Sequence, residues 1–146
     1  MNQVKRRLSK YNWNFAGDDP PALNELEKRI IDTARRKDLI TYSDLVNGIT
    51  FSLPNANRGQ PFQIAPDDWT DLNRAIIGDF LGYISARSYA QSGIFLSAIV
   101  VTRADGTPGQ GFVEFMRELE ILTKSGEAAS IECWVNEVHK VHEFYA

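Results

Sequence analysis

Cysteine is nearly absent from this chain of 146 residues, whose single thiol is Cys133. One thiol excludes an internal disulfide and a cysteine-rich zinc site, and such chains belong by default to the reducing cytoplasm. Long apolar runs are also absent: the longest nearly unbroken one, residues 94–101, spans eight residues, whereas a membrane-spanning helix needs roughly 20. Residues 1–8 are charged and no apolar stretch follows them, which predicts the absence of a secretory signal. We therefore expect a cytoplasmic protein that neither spans nor binds a membrane.

A strong excess of one charge is missing too, since the formal net charge is −3. The charges are unevenly distributed, with a balance of +3 over residues 1–40, −1 over residues 41–103 and −5 over residues 104–146. A basic N-terminal part and an acidic C-terminal part would allow one face of the protein to bind phosphate while another face repels it. Two ordinary solvated surfaces explain the same pattern, so charge alone does not decide between them.

Hydrophobic residues make up 43% of the chain, which is enough for the core of one domain. Apolar side chains at three- and four-residue spacing predict helices, and the β-branched run 94–101, followed by the turn Asp105-Gly106, predicts a strand buried on both faces. The predicted order is three helices, a strand with its turn and two helices, at residues 23–37, 40–48, 69–88, 94–106, 112–124 and 128–146. We expect residues 1–22 to form an N-terminal arm and residues 23–146 a single, mostly helical α+β domain.

Two of the predicted helices have candidate capping residues. Thr41 is expected to cap the second helix, and Asp67 or Asp68 the third. The connector 49–66 is rich in proline and asparagine, which predicts irregular structure. Three apolar side chains are expected to anchor it: Phe51, Phe62 and Ile64.

The arm combines basic and aromatic side chains. The cations Lys5, Arg6 and Arg7 are followed by the aromatics Tyr11, Trp13 and Phe15. Such a mixture can hold phosphates and stack on bases. Alternatively the aromatic rings pin the arm to the domain, which is the interpretation we favour.

Two groups of glycines predict places where another part of the chain or a ligand approaches the backbone closely. Gly78 and Gly82 lie four residues apart in the third predicted helix, where each disfavours helix, so we expect a packing reason. Gly106, Gly109 and Gly111 precede the fourth predicted helix, and such a loop can direct backbone N–H groups at an anion. The lysine of a phosphate-binding loop is missing, however, so a chain reversal that packs the next helix is the simpler explanation.

Metal ligands and nucleophiles are few. His139 and His142 share a face of the last predicted helix, and Cys133, nearly two turns earlier, lies on broadly the same side, but further ligands would be needed for a closed site. Cys133 is expected to be half-buried and inert, and Ser97 has no histidine near it in sequence. We therefore expect no metal, no cofactor and no catalytic residue.

Three segments together resemble the winged-helix DNA-binding domain of alkyltransferase-like proteins. They are Ile-Thr-Tyr-Ser-Asp-Leu at 40–45, Arg-Ala-Ile-Ile-Gly at 74–78 and Ser-Ala-Ile-Val-Val-Thr-Arg-Ala-Asp-Gly at 97–106. That family has a Thr-Tyr helix start, an arginine and a glycine in its recognition helix, and a Cys-His-Arg-Val-Val or Trp-His-Arg-Val-Val strand that ends in an Asp-Gly turn. The resemblance covers residues 23–112 and implies a winged-helix fold that binds DNA. Ser97 stands where the family has its reactive cysteine, so alkyl transfer is not expected.

A second resemblance involves Leu-Ser-Ala-Ile-Val-Val at 96–101 and Gly-Thr-Pro-Gly-Gln-Gly-Phe at 106–112. These segments are similar to a signature that recurs in uncharacterised prokaryotic proteins, which implies a shape without an assigned activity.

The resulting hypothesis is a winged-helix-like, non-catalytic module that binds duplex DNA through phosphate contacts on one face. The cations expected to make these contacts are Lys5, Arg6, Arg7, Arg74, Arg87 and Arg103. Two alternatives stay open. One is a protein-interaction module that forms a homodimer or joins a larger assembly, favoured by the acidic C-terminal third and by Gly78 and Gly82. The other is an enzyme that uses the loop 106–111.

Overall fold

A computed structural model of the chain describes residues 2–146 and shows a mostly helical α+β protein, as the sequence predicted. The helices are α1 (Gln3–Leu8), α2 (Pro20–Arg35), α3 (Tyr42–Val46), α4 (Asp71–Ser92), α5 (Gln110–Glu118) and α6 (Glu127–Phe144). The strands are β1 (Ile40–Thr41), β2 (Thr50–Phe51), β3 (Phe62–Gln63) and β4 (Val100–Val101), of which β1 pairs in parallel with β4 and β2 pairs antiparallel with β3. Among residues 2–146, no helix is both long enough and apolar enough to cross a membrane.

The predicted helices are present, with shifted boundaries. α2 begins at Pro20 because proline fits the first helical turn, and the Asp19 carboxylate accepts the N–H of Ala22 as its cap. Thr41 caps α3 as expected, through a 3.1 Å bond from the N–H of Asp44. The prediction that Asp67 or Asp68 caps the third helix is wrong, because α4 begins at Asp71 and Thr70 is its cap.

The prediction of a long buried strand over residues 94–101 is wrong. All eight residues are buried, but Leu96–Ile99 forms a 3-10 helix and only Val100–Val101 is a strand. The apolar run therefore indicated burial correctly and the type of element incorrectly.

Two serines of α4 explain why this segment does not need strand partners. Ser88 Oγ accepts the N–H of Leu96 at 3.2 Å and donates to the carbonyl of Ile94 at 2.6 Å. Ser85 Oγ accepts the N–H of Ser97 at 2.9 Å. Side-chain hydroxyl groups thus satisfy buried backbone groups that a sheet would otherwise have to satisfy.

Helix α6 covers the same segment from another side. Trp134 Nε1 donates to the carbonyl of Ala98 at 2.7 Å, and Val138 and Val141 are buried. Ile131 of the same helix is 43% exposed. The 3-10 segment is consequently held between α4 and α6, at the centre of the core.

The N-terminal arm is pinned to the domain, as favoured from the sequence. The Asp79 carboxylate of α4 accepts the backbone N–H groups of Asn14, Phe15 and Ala16 at 2.7, 2.9 and 2.8 Å. Leu8 and Ala16 join the core. The connector 49–66 is anchored as predicted, with Phe51 and Ile64 buried and Phe62 stacked on Phe51.

Candidate ligand-binding cleft

A cleft of about 960 Å³ opens between α4, the N-terminal arm, the segment 66–69 and the loop 102–111. Its volume lies at the upper end of the roughly 300–1,000 Å³ that is usual for small-molecule and cofactor sites. Aromatic side chains line both ends. Two elements predicted from sequence, α4 and the glycine loop before α5, contribute to its lining.

The arm supplies the first end of the cleft. The rings of Tyr11 and Trp13 stack with centroids 5.3 Å apart, and Tyr11 meets Phe115 edge to face. Burial, followed by the nearby Glu118 carboxylate, raises the pKa of the Tyr11 hydroxyl to about 12, so this group stays protonated at neutral pH. These rings pack against one another and form a fixed wall.

The second end is built from Tyr42 and Trp69. Their rings lie edge to face with centroids 6.2 Å apart, and Trp69 Nε1 donates to the carbonyl of Pro66 at 3.1 Å. Ser43 Oγ donates to the same carbonyl at 2.8 Å. Burial raises the pKa of the Tyr42 hydroxyl, and the backbone of Gly109 opposes part of this shift. The hydrogen bonds orient both rings, which is the preorganisation that a binding site requires.

Helix α4 lines the cleft with apolar and small side chains. Ile77 and Leu81 face it, and they are joined by Gly78 and Gly82. A Cβ atom at Gly82 would lie 2.5 Å from Trp13 Cζ3, so this glycine gives the arm room to pack. A Cβ atom at Gly78 would meet nothing within 4 Å, so Gly78 faces open space. The expected packing reason therefore exists for Gly82 and not for Gly78.

Two arginines lie at the rim of the cleft. Arg74 Nη1 is 3.7 Å from Asp71, and Arg103 Nη1 is 2.8 Å from Asp67. The side chains of Arg74 and Arg103 are 67% and 65% exposed, so these ion pairs are weak and either guanidinium can turn to a ligand at little cost. Arg74 and Arg103 are the two predicted cations that the structure brings to the cleft.

The other predicted cations lie elsewhere. Arg87 Nη2 contacts Glu27 of α2 at 2.6 Å and its guanidinium lies 5.3 Å from the Tyr83 ring, so it joins two helices. Arg7 pairs with Glu120, while Lys5 and Arg6 are exposed on α1. The six cations thus lie on α1, at the α2–α4 contact and at the cleft, and phosphate binding by the six together stays a prediction.

The glycine loop reaches the cleft in part. Gly109 and Gly111 line it, and Gly109 is the first residue before α5. Gly106 belongs to the preceding turn, where its N–H donates to the carbonyl of Thr102 at 3.0 Å and its φ of +65° favours glycine. Anion binding by Gly106, Gly109 and Gly111 stays a prediction.

The histidines and the cysteine lie on α6, outside the cleft lining. His139 is exposed, His142 Nε2 is 2.9 Å from the carbonyl of Asp38, and Cys133 is half-buried. Burial, followed by the charge of Glu137, raises the pKa of the Cys133 thiol, which disfavours the reactive thiolate. Within residues 2–146 no group of three or more His, Cys, Asp or Glu side chains is arranged to hold a metal ion.

Sequence reasoning missed the aromatic pair at the second end of the cleft. Tyr42 lies in the second predicted helix and Trp69 begins the third, and nothing in their spacing places the two rings together. The available signal was that Tyr42 begins α3 and Trp69 lies two residues before α4, so both rings lie where a helix starts.

The cleft combines aromatic and apolar walls with two guanidinium groups at its rim, and the carboxylates of Asp67, Glu114 and Glu118 also line it. Such a site can hold a planar ring by stacking and an attached anionic group by the two guanidinium groups. No protein-family model, curated protein or solved structure matches this chain.

Proposed function

We propose that this protein is a winged-helix-like module that binds nucleic acid and receives one unstacked base in its aromatic cleft. The observation that carries the proposal is the cleft itself, with ring walls at both ends and Arg74 and Arg103 at its rim. Unpaired bases are recognised by stacking on aromatic side chains, and the flanking phosphates are held by cations. One cleft offers both kinds of contact.

The order of elements supports a winged-helix-like arrangement. Helix α2, strand β1, short helix α3, long helix α4 and strand β4 are followed by the turn at Asp105 and Gly106. The pairing of β1 with β4 ties the turn to the helical part, through Ile40 opposite Val100 and Thr41 opposite Val101. In this arrangement α4 takes the place of a recognition helix, and the turn takes that of the wing.

The location of the cleft favours an unpaired base over an intact duplex. A duplex held by phosphate contacts alone needs many cations on one face, whereas two of the six predicted cations line the cleft. An extruded base needs a single deep apolar site with few charges around it, and stacking contributes about 1–3 kcal/mol per base. The net charge of −3 agrees with the second requirement and not with the first.

Fluorescence anisotropy with labelled oligonucleotides tests the proposal. The same sequence is offered as a single strand, as a perfect duplex and as a duplex with one unpaired base, at low and at high salt. We expect saturable binding of the single strand and of the duplex with the unpaired base, weaker binding of the perfect duplex, and loss of affinity with salt. Absence of saturable binding by all three at low salt would refute the proposal.

Matched variants locate the contact. The double variant Arg74→Gln/Arg103→Gln removes both rim cations, and we expect it to weaken binding and reduce the salt dependence. Lys5→Gln/Arg6→Gln removes the same charge from exposed positions on α1 and serves as the control. Equal losses in the two double variants would place the binding surface outside the cleft.

Self-association is a second candidate, favoured by one observation. Ile131 and Val135 lie one turn apart on α6 and are 43% and 36% exposed. The glycine pair of α4 no longer supports this alternative, because Trp13 of the same chain occupies the space at Gly82. Light scattering of the protein and of Ile131→Glu/Val135→Glu decides: a dimer that this variant converts to a monomer would support self-association, and a monomer at high concentration would exclude it.

A further inference from the structure

Two serine hydroxyl groups meet beneath the cleft. Ser85 of α4 is completely buried, Ser97 is 8% exposed, and their Oγ atoms lie 2.6 Å apart. Ser97 lines the cleft and Ser85 does not.

The surroundings determine which hydroxyl donates. Ser85 Oγ already accepts the N–H of Ser97, and within residues 2–146 Ser97 Oγ is the acceptor within reach of the Ser85 proton. If Ser97 donated instead, a completely buried hydroxyl would keep a proton without an acceptor, which is strongly disfavoured. Ser85 therefore donates to Ser97, and the proton of the Ser97 hydroxyl remains for another partner.

The backbone groups of Ser97 are both engaged within the protein. The N–H of Ser97 is used by Ser85, and its carbonyl accepts the N–H of Val100. Both backbone groups are thus bound inside the core, and the side chain is the part of Ser97 that is left to face the cleft.

We propose that the Ser97 hydroxyl, polarised by Ser85, is a hydrogen-bond donor at the floor of the cleft and selects planar ligands that carry an acceptor at their inner edge. The acceptor is a carbonyl oxygen or a ring nitrogen, which unpaired bases provide. The choice of a base as the ligand rests on the proposed function, whereas the direction of the hydroxyl rests on the two serines alone.

Of the polar groups on the ring walls, the indole N–H of Trp69 is already bound. Trp69 Nε1 donates to Pro66, and the Tyr42 hydroxyl lies against the backbone of Gly109. A ligand that lacks an acceptor would leave the Ser97 proton unsatisfied once water is excluded, so the floor discriminates against it.

The test compares two duplexes that differ in one unpaired residue. The first carries thymine, and the second carries difluorotoluene, which keeps the shape of thymine but replaces its carbonyl oxygens with weakly accepting fluorine. We expect the wild-type protein to bind the thymine duplex about tenfold more tightly, since one hydrogen bond to a buried donor is at stake. Ser97→Ala is expected to bind both duplexes equally, and Ser97→Cys, which keeps the size with a weaker donor, is expected to show an intermediate preference.

Two controls keep the outcomes distinct. Trp69→Ala is expected to lose affinity for both duplexes by the same factor, because stacking does not distinguish them. A wild-type protein that binds both duplexes equally, or a folded Ser97→Ala that retains the tenfold preference, would overturn the inference while the proposed function stands. Failure of the wild-type protein to bind either duplex or the single strand would instead refute the proposed function.

Discussion

The two faces of α4 both carry small residues, but for different reasons. On the face towards the core, Ser85 and Ser88 lie against the backbone of the segment 94–97 and hydrogen-bond to it. On the face towards the cleft, Gly82 gives the Trp13 ring room to pack, and Gly78 borders open space. Three of the four positions are explained by what the chain itself places there.

The difference teaches how a cleft can be recognised beside a core. Small side chains on a helix let another segment of the chain pack closely against it. That segment normally fills the space beside the small side chains, because protein interiors are closely packed. Gly78 is the position on α4 where that does not happen, and it lies among residues that line the cleft. Substitutions along α4 should therefore separate positions that stabilise the fold from the position that serves the cleft.

The largest effect is expected for Ser88→Ala on the core face. This change leaves the buried N–H of Leu96 and the carbonyl of Ile94 without their hydroxyl partner, which should lower the free energy of unfolding by about 3 kcal/mol. Urea unfolding measures it. Ser92→Ala, an exposed position at the end of the same helix, is the control and should change stability by less than about 0.5 kcal/mol. Equal midpoints for the two variants would show that the hydroxyl bonds do not hold the segment.

Gly82→Ala should come next on the cleft face. The new methyl group would lie 2.5 Å from Trp13 Cζ3, so the arm must shift and the free energy of unfolding should fall by about 1–2 kcal/mol despite the better helix propensity of alanine. Thermal unfolding gives the measurement. Combining it with Trp13→Ala should remove the penalty, and a strictly additive double variant would contradict the contact.

Gly78→Ala should have the opposite sign. Its methyl group meets nothing within 4 Å, so the helix gains up to about 1 kcal/mol from the loss of a glycine. The same methyl group enters the cleft, so oligonucleotide binding should weaken in a protein that has become more stable. A variant that is stabilised and binds as tightly as wild type would show that this part of the cleft is not used.

The smallest effect is expected at Cys133 of α6, the helix that covers one side of the buried segment 94–101. Cys133 precedes Trp134, and burial followed by the charge of Glu137 raises the pKa of its thiol. Because a raised pKa means that the folded protein keeps the thiol proton to higher pH, iodoacetamide should label Cys133 at a higher pH than in the urea-unfolded chain. Glu137→Gln should shift the labelling profile to lower pH. Identical labelling profiles for the folded and unfolded protein would indicate that Cys133 is exposed to solvent in the folded protein.

Local patterns were sufficient for much of the fold. The apolar spacing of Leu26, Ile30 and Ala34 predicted α2, and these residues are completely buried. The Thr41 cap and the turn at Asp105 and Gly106 were found from residues close in sequence, where the physical cause is itself local.

The segment 94–101 could not be assigned in this way. A buried apolar run predicts burial, but strand or 3-10 helix depends on what satisfies its backbone. Here Ser85 and Ser88 do so from α4, and Trp134 does so from α6, 36 residues beyond Ala98. No short-range pattern contains that information.

For the charged residues, too, short-range sequence patterns do not show which partners they contact. Arg74 and Arg87 lie on one helix and were given the same role from sequence. The structure places Glu27, which is 60 residues away from Arg87, in contact with it, while Arg74 stays exposed at the cleft. Which cations are free is decided by partners that are distant in sequence, and the same is true of the Tyr42–Trp69 pair.

The most direct test of the account observes the three tryptophan indole N–H signals by NMR while an oligonucleotide with an unpaired base is added. Trp13 and Trp69 line the cleft, whereas Trp134 donates to Ala98 within the core and serves as an internal control. The account predicts saturable shifts of the Trp13 and Trp69 signals with Trp134 unchanged. Binding that leaves the signals of Trp13 and Trp69 in place, or that shifts Trp134 alone, would contradict it.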